Sequence, residues 1–380
     1  MSNRNQLRDH SLANMDLLRC FCVFAVVLIH VSTSYLNRFS NYVAGGISPD
    51  ILVSPYSACL YNSLPRFAVP CFVMMTGALL LGKDEYQEYG VFYKKHMPKI
   101  IPSTVFFSII YVLYRIIKIL YLGGPRLYLR WMKLEDDMFY GNYMYHLWYM
   151  YMLIGLYFLV PIVIRFKNSV SRQNLVRVTV VFTILATISR WGIKDIGFEW
   201  NIAQPFLYVG YLLCGYVIST SSSLDKIKKR NITGVCLIVL GLLVEVASSF
   251  LVYLMQVQYG IHEQALELKI VVPYAPLIVI ASLLIFTGFT LIKVRSNWLI
   301  VNISELSFAS YLIHILVWDI IRVCFEKYHN YEYMFFYYDG KIWIPVFTLL
   351  VFVISLVLAK LYNSIYSPFD RWLKKEINKK

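Results

Sequence analysis

The chain has 380 residues, of which 58% are hydrophobic and 15% charged, and its formal net charge is +14. Soluble domains carry about 45–50% apolar and about 25% charged residues, so a water-soluble globular protein is excluded and an all-α, polytopic integral membrane protein is expected. The basic excess does not point to nucleic acid, because Lys and Arg cluster at alternate connections between apolar runs, as the positive-inside rule expects.

The first apolar run is MDLLRCFCVFAVVLIHVSTSY, residues 15–35, long enough at roughly 20 residues to cross a bilayer. The polar stretch before it, MSNRNQLRDHSLAN, lacks the short apolar core and small-residue cleavage site of a removable signal, so this helix is expected to stay in the mature protein. Hydropathy gives about ten spans, near 17–37, 57–81, 100–122, 145–165, 174–191, 203–219, 232–255, 270–292, 302–323 and 342–365. Connections are short. In the longest one, residues 123–144, Leu127, Leu129, Trp131 and Leu134 stand among charges and suit a short interfacial helix. No linker or separate soluble domain is visible, so residues 1–380 read as one membrane domain with short tails at about 1–16 and 367–380.

Basic residues set the orientation. With the N-terminus in the cytoplasm, the inner segments collect Arg4 and Arg8, Lys83 to Lys99, Arg165 to Arg177, Lys226 to Arg230, Lys293 and Arg295, and the C-terminal lysines. That is about 21 inside against roughly ten outside, and an even number of spans puts both termini in the cytoplasm. The acidic cluster Glu135, Asp136 and Asp137 then lies outside.

Two ionisable groups stand out in the first span. Arg19 and His30 are separated by about three helical turns, or ~16 Å, on nearly the same stripe. Ionisable groups in membrane helices mark function by default because they are costly to keep there. Arg19 falls at the cytoplasmic edge, with Lys95, His96 and Lys99 at its level; His30 falls toward the outer half, where Arg66, His146 and Arg190 also lie. A mouth lined by Arg19, Lys95 and Lys99 suits a phosphate-bearing ligand. Such residues also contact lipid phosphate, snorkel or merely set topology.

A membrane histidine can be a packing residue. A neutral imidazole can also take a proton from a hydroxyl and hand it to a leaving thiolate, and Arg66 could stabilise the oxyanion formed between those steps or orient the acceptor. Tyr145, His146, Trp148 and Tyr149 gather at one end of the fourth span, either as an interfacial belt or as a platform for a sugar ring. Glu245 is an intramembrane acid whose partner the sequence does not identify. Asp319 and Arg322 can pair at three-residue spacing. The seven cysteines (Cys20, Cys22, Cys59, Cys71, Cys214, Cys236 and Cys324) fit neither a zinc site nor a disulfide framework and read as small apolar packing residues.

The Arg-x10-His of the first span resembles the signature of acyltransferase family 3, integral membrane acyltransferases that modify surface glycans. Further stretches agree in order along the chain. RFAVPCFVMMTGALLL (66–81) is similar to that family's VP-F-F-SG helix, with Thr76 where Ser is usual. YKKHMPKIIPS (93–103) resembles its basic segment before a proline. YHLWYMYMLIGLYFLVPI (145–162), FLYVGYLLCGYVI (206–218) and SFASYLIHILV (307–317) resemble its H-L-W-F-L, Y-F-L-L-G-Y and S-F-x-x-Y-L-x-H segments. The family's Arg-x-x-Arg is His96 and Lys99 here, which keeps charge but loses the bidentate fork.

The resemblance implies a bacterial inner-membrane O-acyltransferase, most simply an O-acetyltransferase, that acts on a surface polysaccharide or its lipid-linked precursor. Acetyl-CoA would be the donor substrate, and no cofactor would be held permanently. His30 and Arg66 would be catalytic; Arg19, Lys95 and Lys99 would bind the donor; His146, Trp148 and His314 would serve the acceptor or the structure. No metal is implied. The partners so implied are membrane lipids, the acyl-CoA and the glycan, without nucleic acid; a homodimer stands as an open alternative to the monomer. Many members carry a fused esterase-like domain of the SGNH type, and this chain resembles the stand-alone members. The rival class is a transporter or lipid-linked glycan flippase, which also buries polar groups. Such proteins often carry internal repeats, and none is evident between the two halves.

Overall fold

A computed structural model describes residues 10–44, 55–122, 145–192, 200–255, 272–328 and 339–377. The predicted interfacial helix at 123–144, the acidic cluster Glu135 to Asp137, the basic pair Arg4 and Arg8, and the side chain of Arg190 lie outside the described residues. Every regular element among the described residues is helical.

Each of the ten predicted spans meets its helix. They are α1 (His10–Ala44), α2 (Pro55–Ser63) followed by α3 (Ala68–Leu80), α4 (Tyr89–Leu122), α5 (Trp148–Ser169), α6 (Arg172–Gly192), α7 (Trp200–Ser219), α8 (Arg230–Tyr253), α9 (Pro276–Leu291), α10 (Trp298–Tyr328) and α11 (Gly340–Ile377). Among the described residues, 8 helical segments are long and apolar enough to cross a membrane. The 16-residue α9 is shorter, and α6 is not among the 8.

Two elements depart from the expected boundaries. The second span is broken: Leu64 to Phe67 form a turn in which the Arg66 N–H donates to the Ser63 carbonyl (3.1 Å) and the Ala68 N–H to the Pro65 carbonyl (3.1 Å). Pro65 has no N–H to continue the ladder, and its ring disfavours a preceding α-helical residue. The third span starts earlier, at Tyr89, and runs through Pro98 and Pro102, so Lys95, His96 and Lys99, expected at the inner end of the third helix, lie in its first three turns.

Helix α1 packs against α2, α3, α9, α10 and α11. Its buried stripe of Leu18, Cys22, Val23, Val27 and Val31 is the apolar face a 3.6-residue period produces. Asn14 pins its first turns, donating to the Ile292 carbonyl and accepting from the Val294 N–H (3.1 Å). Farther along, Trp318 Nε1 donates to Ser34 Oγ (3.0 Å). Helix α3 lies directly on α7, because Gly77 faces the Leu212 carbonyl and Gly215 faces the Met74 carbonyl. A Cβ at either glycine would collide with backbone, so the crossing needs both. Small residues at such contacts let membrane helices pack by dispersion alone.

Candidate active site

Helix α1 carries Arg19 and His30 into two different surroundings. Arg19 lines a cavity of about 520 Å³ with Lys95, His96 and Lys99 of α4, Thr76 of α3, Tyr149 and Tyr157 of α5, and Ser304, Glu305 and Tyr311 of α10. The guanidinium is held in place. Arg19 Nη1 donates to Ser304 Oγ (3.0 Å) and lies 3.5 Å from Asp16 Oδ1, while Ser304 Oγ donates to the same carboxylate oxygen (2.6 Å). Asp16 is buried, so an oriented acid steadies Arg19.

The cations on α4 rest on aromatic faces. Lys95 Nζ sits 4.9 Å from the centre of the Tyr86 ring and 3.8 Å from Glu85 Oε1. Lys99 Nζ lies 5.4 Å from the centre of the Phe308 ring. His96 is packed among Phe92 (ring centres 4.6 Å apart), Tyr86 (5.1 Å) and Tyr157 (6.0 Å). Such cation–π contacts favour an extended side chain with its head in the cavity.

At the other end, three imidazoles come together from three elements. His30 and His314 have ring centres 5.1 Å apart, and His314 and His146 are 5.7 Å apart. His146 and His314 are buried. His314 Nδ1 contacts the Tyr311 carbonyl; a carbonyl only accepts, so Nδ1 carries the hydrogen and Nε2 the lone pair. Nε2 is buried and has no hydrogen-bond partner among the described residues. The Tyr311 hydroxyl donates to the His146 carbonyl, and the same side chain lines the cavity. Tyr311 thus stands between the basic cavity and the imidazole group.

Arg66 occupies the break between α2 and α3. Its Nε donates to the Asn62 carbonyl (3.0 Å) and its Nη2 to Asn62 Oδ1. Asn62 Nδ2 donates in turn to Thr33 Oγ1 (2.7 Å), less than one turn beyond His30.

The geometry therefore collects Arg19, Lys95 and Lys99 around one cavity, and His30, His146 and His314 in one group, with Arg66 tied to the His30 end of α1 through Asn62 and Thr33. Trp148 lies apart, packed on Tyr149 (6.1 Å) and Tyr208 (6.2 Å). Asp319 does approach Arg322 (3.8 Å), yet its closer partners are Lys118 (2.6 Å) and the Tyr114 hydroxyl (3.0 Å). Sequence reasoning missed Asp16, Ser304, Tyr311 and Asn62. Asp16 carried a readable signal, one turn before Arg19 on the same helix; Asn62 lies one turn before Arg66. Ser304 and Tyr311 reach the site only through the packing of α10 on α1 and α5. No group of three or more His, Cys, Asp or Glu residues among the described residues could hold a metal ion.

No curated protein and no solved structure matches the chain. The family model described as an acyltransferase domain, that of acyltransferase family 3, matches residues 12–360, a stretch running from the start of α1 into α11 and taking in both the basic cavity and the imidazole group. The chain therefore belongs to acyltransferase family 3 and is a multi-pass membrane acyltransferase.

Proposed function

We propose that this acyltransferase moves an acetyl group from cytosolic acetyl-CoA to a hydroxyl of a surface polysaccharide or its lipid-linked precursor, in a bacterial inner membrane with both termini cytoplasmic. The observation that carries the reading is the division along α1: a basic cavity around Arg19 at one end and an imidazole with buried neighbours at the other. Coenzyme A has phosphates at one end of an extended arm and the thioester at the other, so a donor of that shape matches a site whose cations and base are separated. The positive-inside bias supports placing the Arg19 end in the cytoplasm.

In this mechanism Arg19, Lys95 and Lys99 bind the donor phosphates, with the Arg19 guanidinium oriented by Asp16 and Ser304. His30 takes the proton of the acceptor hydroxyl as its oxygen attacks the thioester carbonyl. A C–O bond forms, and the carbonyl oxygen becomes an oxyanion that Arg66 stabilises. The C–S bond then breaks, and the proton on His30 passes to the departing thiolate, giving free coenzyme A and an O-acetyl ester. His314 Nε2 offers a lone pair to the imidazolium during its lifetime. His146 and Tyr311 hold His314 and the wall beside it.

The test is mass spectrometry of surface glycans from cells with and without the gene. Loss of a labile acetyl ester from an otherwise intact glycan is expected. A glycan that is missing or truncated, with its esters unchanged, would instead favour transport of a lipid-linked precursor and remove His30 as a base.

A further inference from the structure

The basic cavity has a second end, and aromatic side chains close it. Arg19 meets Ser304 and His30 meets His314, so α1 and α10 run in parallel from the cations toward the imidazoles. Along α10 the cavity lining runs from Ser304 to Tyr311, a span of ~10 Å that stops ~5 Å short of His314. On α5 it runs from Tyr157, which packs on His96, back two turns to Tyr149. Helix α3 supplies Phe72 at the same end. The three rings touch in series: Tyr311 and Tyr149 have centres 5.3 Å apart, and Tyr149 and Phe72 6.3 Å.

Two of these rings are firmly held. Tyr149 and Tyr311 are buried, the Tyr311 hydroxyl is fixed on the His146 carbonyl, and the Tyr311 ring lies 5.5 Å from that of His314. Met75 and Leu153 line the stretch between the cations and the rings, an apolar passage suited to an uncharged arm. An attacking hydroxyl lies about 3 Å from its base and about 3–3.5 Å from the carbonyl carbon. With His30 as the base, the thioester carbonyl therefore stands roughly 6 Å from the imidazole, which is the level of the three rings. The acyl substituent then has the rings against it, and a longer chain would draw the carbonyl back from His30.

We propose that Phe72, Tyr149 and Tyr311 form an acyl stop, which fixes the depth of the donor carbonyl and selects a short acyl group, acetyl over butyryl. They are specificity-determining residues, and the inference rests on the roles given above to the cavity and His30.

The experiment measures kcat/KM for acetyl-CoA and for butyryl-CoA with purified full-length protein in detergent, using de-esterified surface polysaccharide of the host cell as acceptor. The wild type should favour acetyl by about tenfold or more, since one misfitted methylene in a shaped pocket costs about 10- to 200-fold. Phe72→Ala removes a ring that makes no side-chain hydrogen bond and should raise the butyryl-to-acetyl ratio about tenfold or more. Tyr311→Phe keeps the ring and should leave the ratio within about threefold. The same holds for Leu79→Ala, which removes bulk two turns back on α3. General damage lowers both donors alike and does not move the ratio.

Equal use of both donors by the wild type would overturn the inference without any variant. So would an unchanged ratio in Phe72→Ala, or an equal rise in Leu79→Ala. If Phe72→Ala does not fold, Tyr149→Leu is read in its place against the same outcomes. Should the wild type transfer neither acyl group, the donor reading fails and takes the stop with it; transfer without discrimination removes the stop alone.

Discussion

At one end of helix α1, Arg19 opens into a cavity of about 520 Å³ ringed by lysines that lie on aromatic faces. At the other, His30 is packed on the buried His314, which in turn meets His146, and a guanidinium bound to Asn62 is tied to the same stretch of α1 through Thr33. The first region keeps its charges accessible and steadies the central one with Asp16 and Ser304. The second buries its polar atoms, with Arg66 held by Asn62 and His314 Nδ1 on the Tyr311 carbonyl. Binding a charged ligand needs cations that stay able to pair. Moving a proton needs groups whose geometry is set before the substrate arrives. The same helix serves both because its period puts the two residues on one stripe about 16 Å apart.

The sharpest way to break this division is His30→Ala. Removing a general base costs about 10²- to 10⁴-fold in turnover, so acetyl transfer should fall by that much while the amount of protein in the membrane and the KM for acetyl-CoA hold. Turnover at the wild-type level would end the proposed chemistry. A smaller effect on a different parameter is expected at the other end. Arg19→Ala should raise KM for acetyl-CoA about 10- to 100-fold, the loss of one or two charge-assisted hydrogen bonds, with kcat changed less. Arg19→Lys should fall between, since it keeps the charge without the planar fork and still faces Asp16. If Arg19→Ala lowered kcat and left KM alone, the two ends would not be separate in function.

What the sequence could disclose follows the range of the interaction. The apolar helices and the Arg-x10-His stripe are local and periodic, so they could be read directly, as could the three-residue spacing of Asp319 and Arg322. The break at Leu64 to Phe67 could not. Pro98, Pro102, Pro161, Pro205 and Pro345 all sit inside continuous helices, so Pro65 carries no distinguishing mark, and membrane helices tolerate proline where neighbours resatisfy the backbone. Nor could the partners that arrive from distant sequence. Ser304 meets Asp16 across 288 positions and Lys118 meets Asp319 across 201. His314 stood out only within a family motif, and nothing in its spacing from His30 announces that their rings touch.

The mildest test concerns the rim of the donor end. Asp84 lies in the connection between α3 and α4 and accepts from Lys167 Nζ (3.0 Å) and Asn168 Nδ2 (3.1 Å) at the close of α5. Hydrogen bonds from Lys167 and Asn168, and the Lys167 charge, hold the Asp84 carboxyl below the usual carboxylate range. A depressed folded value means that the contribution is complete above the unfolded value near pH 4 and is lost as pH falls through the folded one. Asp84→Asn should therefore lower the thermal midpoint at pH 7 by at most a few degrees, as expected of an exposed pair. The gap from wild type should begin to close below about pH 4. KM for acetyl-CoA should shift less than about threefold, because Asp84 ties two cavity walls together without lining the cavity. A KM shift as large as that of Arg19→Ala would mean that the cavity's shape, and not the charge of Arg19, sets donor affinity. The contrast between an open, charge-led end and a closed, geometry-led end would then fail at its open end.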